Sequence, residues 1–290
     1  MTPLDRDAVR RAFSRAAPRY EGAAALQREV EDRLLEDLEH VKRAPARILD
    51  LGAGPGRASA ILRRRYPRAH VVALDASFAM LAGARARAGW WRPFARVCGE
   101  AERLPLRDAS FDLVFSNLCV QWCPDLPRVL DELRRVLAHD GLLLVSSFGP
   151  DTLHELREAW HSADAAPHVN HFVDIARFGD AMLAAGFRDP VLHREHLSQH
   201  YPDARALMRE LKTIGASNAD SARARGLGGR ARLARMLAAY ESQRRDGALP
   251  ATWEIVYAQA FGPDPTQPRR TGGGEIATFP VERLRGSRRQ

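Results

Sequence analysis

The run Asp50-Leu51-Gly52-Ala53-Gly54-Pro55-Gly56 concentrates the residue types that let a backbone come close to a ligand. Glycine takes positive φ at no steric cost and puts no side chain in the way. An apolar segment, Arg47 to Leu51, precedes the run and reads as a buried strand; a helical pattern follows it to about Tyr66. Open α/β sheets bind ligands beyond the carboxyl ends of their strands, so this loop stands where a nucleotide-like ligand would meet the sheet. Asp75 ends the next apolar run, His70 to Asp75, where a carboxylate can accept both hydroxyls of a ribose. Glu100 follows a third run, Phe94 to Cys98. The glycine spacing discriminates between ligands. A dinucleotide loop needs GxGxxG, whose third glycine lets helix pack on strand while the pyrophosphate sits on the helix N-terminus. Counted from Gly52 and Gly54, that third position is Arg57; the third glycine falls at Gly56 instead.

The elements that must hold these residues alternate. After two N-terminal helical patterns, the second with Leu26, Val30, Leu34, Leu35 and Leu38 on one stripe, strand-like runs at 47–51, 70–75, 94–98, 111–116 and 142–147 alternate with helical ones. Ser77 caps the helix after the second strand, and Asp140-Gly141 is read as the stop of the helix carrying Leu126, Val129, Leu130, Leu133 and Leu137. Further helices are expected from Asp151 and over Asp174 to Ala185, with Gly186 as a stop. Pro190 to Tyr201 and Thr252 to Phe261 read as extended, with an arginine-rich helical stretch between them. Such alternation argues for a parallel sheet built from right-handed crossovers. The expected organisation is N-terminal helices covering the ligand site (1–45), an α/β core (46–202), a helical cap (203–249), a last strand (250–262) and a loosely ordered tail (263–290).

Three motifs in order carry a resemblance. The acid-led GxGxG resembles motif I of the class I S-adenosylmethionine-dependent methyltransferases. Gly99-Glu100-Ala101-Glu102-Arg103-Leu104-Pro105-Leu106 resembles their GDAE-LP segment, with Glu100 in place of the usual Asp, and Phe111-Asp112-Leu113-Val114 resembles FDLV. The resemblance implies a Rossmann-like α/β fold: a seven-stranded, mostly parallel sheet with helices on both faces and a helical insertion between the last two strands. It also implies that Asp50, Gly52, Ala53, Gly54, Gly56, Asp75, Glu100, Ala101 and Asn117 bind S-adenosylmethionine.

Other methyl-acceptor chemistries lack their signatures. The segment Ser116 to Trp122 has no Asn/Asp-Pro-Pro-Tyr for amine methylation. Cys98, Cys119 and Cys123 have no Pro-Cys context for base methylation and read as small buried hydrophobes. His168-x-x-His171 has no obvious third ligand, so no metal is expected.

Longer runs narrow the resemblance. Arg10 to Tyr20, Ser116 to Cys123, Phe148 to Arg157 (FGPDTLHELR), His168 to Asp174, Leu207 to Asn218 and Leu249 to Tyr257 resemble the malonyl-[acyl-carrier protein] O-methyltransferases, which prime pimeloyl synthesis for biotin. The mitochondrial complex I assembly branch shares the FGPDTL run in part. Implied is methyl transfer to the free carboxylate of a malonyl thioester, on an acidic carrier protein or on coenzyme A. A carboxylate is ionised at neutral pH and needs no general base; it must be aimed. Arg157 is the candidate anchor through charge-assisted bonds, Tyr20 a candidate lid, and Asn117 with Trp122 the candidate lining of the transfer site.

Bulk properties fit. The chain has 290 residues, 44 Lys and Arg against 36 Asp and Glu, and a net charge of +8. That excess favours an acidic partner, and Arg205, Arg209, Lys212, Arg223, Arg225, Arg230, Arg232 and Arg235 gather it in the cap. With no added RNA-binding module visible, no nucleic-acid partner is expected. No apolar run reaches the roughly 18–20 residues of a membrane span, no signal peptide is visible, and three cysteines imply no disulfide framework; the expected compartment is the cytoplasm. The alternatives are another small-molecule or RNA methyltransferase, an assembly factor, or a nicotinamide-dependent oxidoreductase, which Arg57 disfavours.

Overall fold

In the computed structural model the described residues are 4–41, 43–90, 93–221, 229–263, 269–271 and 274–276. Three helices open the chain: α1 (Arg6–Ala16), α2 (Tyr20–Ala23) and α3 (Ala25–Glu36). The α/β alternation then runs β1 (Arg47–Leu51), α4 (Arg57–Arg65), β2 (His70–Asp75), α5 (Phe78–Ala88), β3 (Ala95–Cys98), β4 (Phe111–Ser116), α6 (Leu126–Val136) and β5 (Leu137–Phe148). It continues with α7 (His154–His161), α8 (Ile175–Ala185), β6 (Arg188–Tyr201), α9 (Ala204–Thr213), α10 (Arg230–Glu241) and β7 (Leu249–Phe261).

The seven strands lie in the order β3-β2-β1-β4-β5-β7-β6. β1 to β5 pair in parallel, and β7 runs antiparallel to both its neighbours. The expected seven-stranded, mostly parallel sheet is therefore present, with α9 and α10 falling between the last two strands in sequence. Consecutive strand residues enter opposite cores: Ile48, Ala73 and Leu113 pack with α3, α4 and α5, whereas Leu49, Leu74 and Val114 pack with α6 and α8. Burial on both faces is why these strands read as nearly continuous apolar runs. Strand order reverses between β1 and β4, and a crevice at such a switch point is where this class of sheet takes its ligands.

Several boundaries differ from the sequence reading. Helix α6 ends at Val136, and Leu137 already belongs to β5, paired with Phe111. Asp140-Gly141 lies inside β5, at a bulge between the Phe111 and Leu113 pairings, with Asp140 at φ 56°. A turn signal inside a long strand is how a bulge reads in sequence. The helix expected from Asp151 begins only at His154. Residues 151–153 are stitched to β7: Asp151 N–H donates to the Glu254 carboxylate (2.8 Å) and Leu153 N–H to the Thr252 carbonyl (2.7 Å). In the stretch expected to be a loose tail, Arg269–Thr271 (β8) and Gly274–Ile276 (β9) pair as a short antiparallel ribbon; residues 277–290 lie outside the described residues. No described helix is long and apolar enough to cross a membrane.

Candidate active site

The loop after β1 is set by its own backbone. Gly52 and Ala53 N–H both donate to the Leu74 carbonyl (2.8 and 3.1 Å), and Gly54 N–H donates to Asp75 Oδ2 (2.9 Å). Gly52 has φ 70°, and a Cβ there would lie 2.4 Å from the Cβ and Sγ of Cys119. Gly56, at φ 78°, precedes α4, and its Cβ would meet Ala84 of α5 at 2.9 Å. Around Gly54 nothing lies within 4 Å of that position. Two glycines are thus required by packing; the third faces open space, where a ligand can approach the backbone.

Carboxylates surround this loop. Asp50 is buried and accepts from Ser59 Oγ (2.5 Å); burial pushes its carboxyl up to about 7. Asp75 accepts from the backbone N–H groups of Gly54 and Ser77 (2.7 Å for the latter), and burial lifts it to about 6. Ser77, not Asp75, caps α5 through Met80 N–H. Glu31 of α3 reaches the same place; burial and then the Asp50 carboxylate raise it to about 7, although Arg57 donates to it at 2.5 Å. Acids kept partly protonated by lack of solvent will ionise when a cation arrives. S-adenosylmethionine, with its sulfonium and α-ammonium groups, is such a ligand, so these residues fit the cofactor. Sequence reasoning missed Glu31, because no local signal marks one acid among the many on a charged helix.

The cleft continues along β2, β3 and β4. Its wall includes Leu74, Asp75, Glu100, Ala101 and Asn117, and α1 covers it with Arg6, Arg10 and Phe13. Arg6 pairs with Glu102 (2.7 Å) and Arg10 with Asp7 (2.8 Å) and Glu100 (3.6 Å), closing the cover over the Glu100 end. Tyr20, first residue of α2, lines this cleft and its extension toward Glu31. Burial and then the Glu31 and Asp75 carboxylates push its phenol up, so it stays a neutral donor. Asn117 also lines both parts, but its amide is engaged at each end: Nδ2 donates to the Gln27 carbonyl (2.9 Å), and Oδ1 accepts from Ser146 Oγ (2.7 Å). It therefore ties α3 to β4 and β5 behind the cleft. Cys119 and Cys123 line the cleft and are partly buried against the core, in keeping with their reading as small hydrophobes, whereas Cys98 is exposed and that reading is corrected for it.

Arg157 is not brought into the cleft wall. Its Nη1 and Nη2 donate to the Pro150 and Thr152 carbonyls (both 2.9 Å), bracing the turn ahead of α7. Burial lowers its pKa without releasing the guanidinium from that turn.

A further pocket begins behind Trp122, which belongs to both walls. Trp122 is held edge-on against Phe13 with ring centroids 5.2 Å apart. Beyond it, Phe148, Leu153 and Leu156 come from the FGPDTLHELR run, and His168, Val169, Asn170 and Phe172 from the run at 168–174. Leu211, Ala216 and Asn218 come from the run at 207–218, and Trp253 from the run at 249–257. No Asp or Glu lines it.

A methyltransferase domain model matches residues 49–145, the part carrying the glycine loop, Asp75 and Glu100. Among solved structures, the YcgJ protein of Bacillus subtilis aligns at a TM-score of 0.58 with 18% identity, over 80% of this chain and 99% of that one. The [4+2]-cyclase SpnF aligns at 0.51 with 20% identity, over 81% and 82%. Likeness at that level speaks of the fold alone, and that fold hosts more than one reaction. Full-length relatives are more specific. The malonyl-[acyl-carrier protein] O-methyltransferase of Xylella fastidiosa (strain M23) is 49% identical over 278 residues, covering 95% of this chain and 94% of that protein. The same-named protein of Halorhodospira halophila (strain DSM 244 / SL1) is 50% identical over 275 residues, covering 94% and 93%. At that identity, and over nearly the full length of both partners, the chain belongs to the malonyl-[acyl-carrier protein] O-methyltransferase family.

Proposed function

We propose that this protein transfers the methyl group of S-adenosylmethionine to the free carboxylate of a malonyl thioester, the step that primes pimeloyl synthesis for biotin, in the cytoplasm. The observation that carries the reading is that two unlike cavities share Trp122 as a wall. One is lined by carboxylates and suits a cationic cofactor; the other has no carboxylate in its wall and suits an anionic, partly apolar acyl group. Like charge would repel the substrate from the first, and opposite charge fixes which ligand takes which side.

When bound, S-adenosylmethionine supplies an electrophilic methyl on a sulfonium. The chain's own part is to hold, aim and keep out water. Asp50, Glu31 and Asp75 hold the cationic end and the ribose, the open face at Gly54 admits the methionine part, and Glu100 with Ala101 faces the adenine. Tyr20 covers the cofactor cleft as a neutral donor, and Asn117 fixes α3 against β4. The acceptor carboxylate is ionised at neutral pH, so no residue has to take its proton. Arg157 acts at one remove, through the turn that carries Leu153 into the acyl pocket.

For the thioester's carrier we favour an acidic carrier protein over coenzyme A. Arg205, Arg209 and Lys212 stand exposed on α9 at spacings of four and three, hence on one face, while Leu211 of the same helix lines the acyl pocket. Arg232 and Arg235 are committed to Asp164 and to the Ala163 carbonyl; Arg223 and Arg225 lie outside the described residues. Incubation with labelled S-adenosylmethionine and either malonyl-carrier protein or malonyl-coenzyme A, followed by mass analysis, tests both levels. A malonyl group heavier by one methylene is the expected product, and its absence from both substrates overturns the reading. Higher kcat/KM on the coenzyme A thioester would overturn the carrier assignment alone.

A further inference from the structure

Carboxyl methylation leaves one requirement unassigned: a group that receives the substrate's free carboxylate. Most cations around the cofactor cleft are already answered: Arg6 and Arg10 pair with Glu102, Asp7 and Glu100, Arg57 with Glu31 and Asp32, and Arg87 with Glu21. Arg28 donates to the Glu21 backbone carbonyl on the Tyr20 side of the cleft, away from the second pocket, whose wall it does not join. Arg157 is spent on two carbonyls of its own turn. In the acyl pocket itself the ionisable side chain in the wall is His168.

Its ring is held by two neighbours, one of them fixed in turn by a third residue. Nε2 lies 2.8 Å from Asp164 Oδ1, and the other oxygen of Asp164 accepts from Arg232 Nη1 at 2.9 Å. The imidazole stacks on Trp160 with centroids 3.7 Å apart and planes 9° from parallel. Arg232 and then His168 hold the Asp164 carboxyl down to about 2, so it is an acceptor at working pH and fixes the proton of His168 on Nε2. Nδ1 then has no hydrogen-bond partner among the described residues. Nδ1 is thus the edge of the ring left to meet a ligand; with a carboxylate bound there through a shared proton, Arg232, Asp164 and the ring together carry one net positive charge, the complement of that carboxylate.

Resting on the carboxyl-methylation reading, we propose that His168, positioned by Asp164, Arg232 and Trp160, receives the malonyl carboxylate in the pocket behind Trp122. One carboxylate oxygen accepts from Nδ1–H, and the other is left free to face the cofactor's methyl group. A metal role for the His168-x-x-His171 pair is not needed to explain the residue, since both its neighbours and its free nitrogen fit an anion receptor.

The test measures binding to enzyme loaded with S-adenosylhomocysteine, which prevents turnover, with malonyl-pantetheine and acetyl-pantetheine as probes. The two differ only in the carboxylate. In the wild-type protein we expect malonyl to bind about tenfold or more tighter than acetyl, as a charge-assisted bond predicts. His168→Gln and His168→Phe, the second keeping the stack on Trp160, should bring that ratio close to one while acetyl-pantetheine and S-adenosylhomocysteine bind as before. Asp164→Asn should lower the ratio partway. A purely structural His168 predicts equal losses for both probes, and that result overturns the proposal. An unchanged ratio in both variants overturns it too, by placing the anchor elsewhere. A wild-type protein that binds malonyl no better than acetyl, and methylates neither carrier, overturns the carboxyl-methylation reading along with it.

Discussion

The two cavities that meet at Trp122 are built in opposite ways. The cofactor cleft is made from strand ends and the turns that follow them: β1 with its glycine loop, β2 with Asp75, the 99–102 turn and β4 with Asn117. Its chemistry is polar, and its carboxylates are strained by burial. The acyl pocket draws single side chains from segments between residues 122 and 253, and most of them are apolar. Backbone geometry makes the first site; side-chain convergence makes the second. Mutations should therefore separate them, and each of the following outcomes would blur or sharpen the contrast.

The largest effect is expected from Gly52→Ala. The new Cβ would sit 2.4 Å from Cys119 on a residue at φ 70°, combining overlap with an unfavourable backbone region. S-adenosylmethionine affinity should fall by about 100-fold or more, measured by calorimetry with circular dichroism as the fold check. Retention of cofactor binding within a few-fold would show that the loop tolerates movement and that backbone geometry does not define the cleft.

Phe172→Ala should act on the other side. Phe172 lies against Phe148 with ring centroids 5.5 Å apart and is only partly buried, so its loss opens the acyl pocket more than it weakens the core. The KM for the malonyl thioester should rise about tenfold, with cofactor affinity changed less than about twofold. Equal losses on both ligands would mean that the cavities are one mechanical unit.

A further outcome concerns pH. Asp50 and Glu31 sit at about 7 and Asp75 at about 6 in the folded, unliganded protein; unfolded, all three return to the ordinary carboxylate range near 4. Between those limits the folded state binds more protons, so its stability is highest at the acid end of the window and falls as pH rises toward about 7. A cation favours the ionised acids, so S-adenosylmethionine should bind about tenfold tighter at pH about 8 than at about 6. Thermal melts with and without cofactor check both signs. A cofactor affinity that is flat with pH would show that these acids do not face the bound cation.

How much could be read beforehand follows the same division. The pattern from Arg47 to Ser116 was legible because each step has a local cause: apolar runs buried on both faces, Ser77 as a cap, glycines where the chain turns under positive φ. The glycine at 56 in place of 57 was enough to favour one ligand class over another. What failed was equally physical. Asp140-Gly141 has turn composition but serves a bulge, because Phe111 pairs across to Leu137. The start of α7 was set by Glu254 and Thr252 on a distant strand, which no local pattern contains.

Sequence alone marked the glycine loop and the acid at the end of β2, since apolar runs, a cap and glycine spacing are local signals; the contacts that hold the loop, on Leu74, Asp75, Cys119 and Ala84, are not. It also marked, through family resemblance, the runs that matter for substrate. Only the tertiary structure decided what those runs make. It folds Arg157 back onto its own turn, brings Glu31 from a helix to the glycine loop, and sets His168 between Trp160 and Asp164 in the wall of a pocket behind Trp122. Glu31 at the loop and the assembled pocket wall rest on contacts between segments far apart in the chain; Arg157 and His168 find nearby partners, but among several possible ones it is packing and burial, not spacing, that choose.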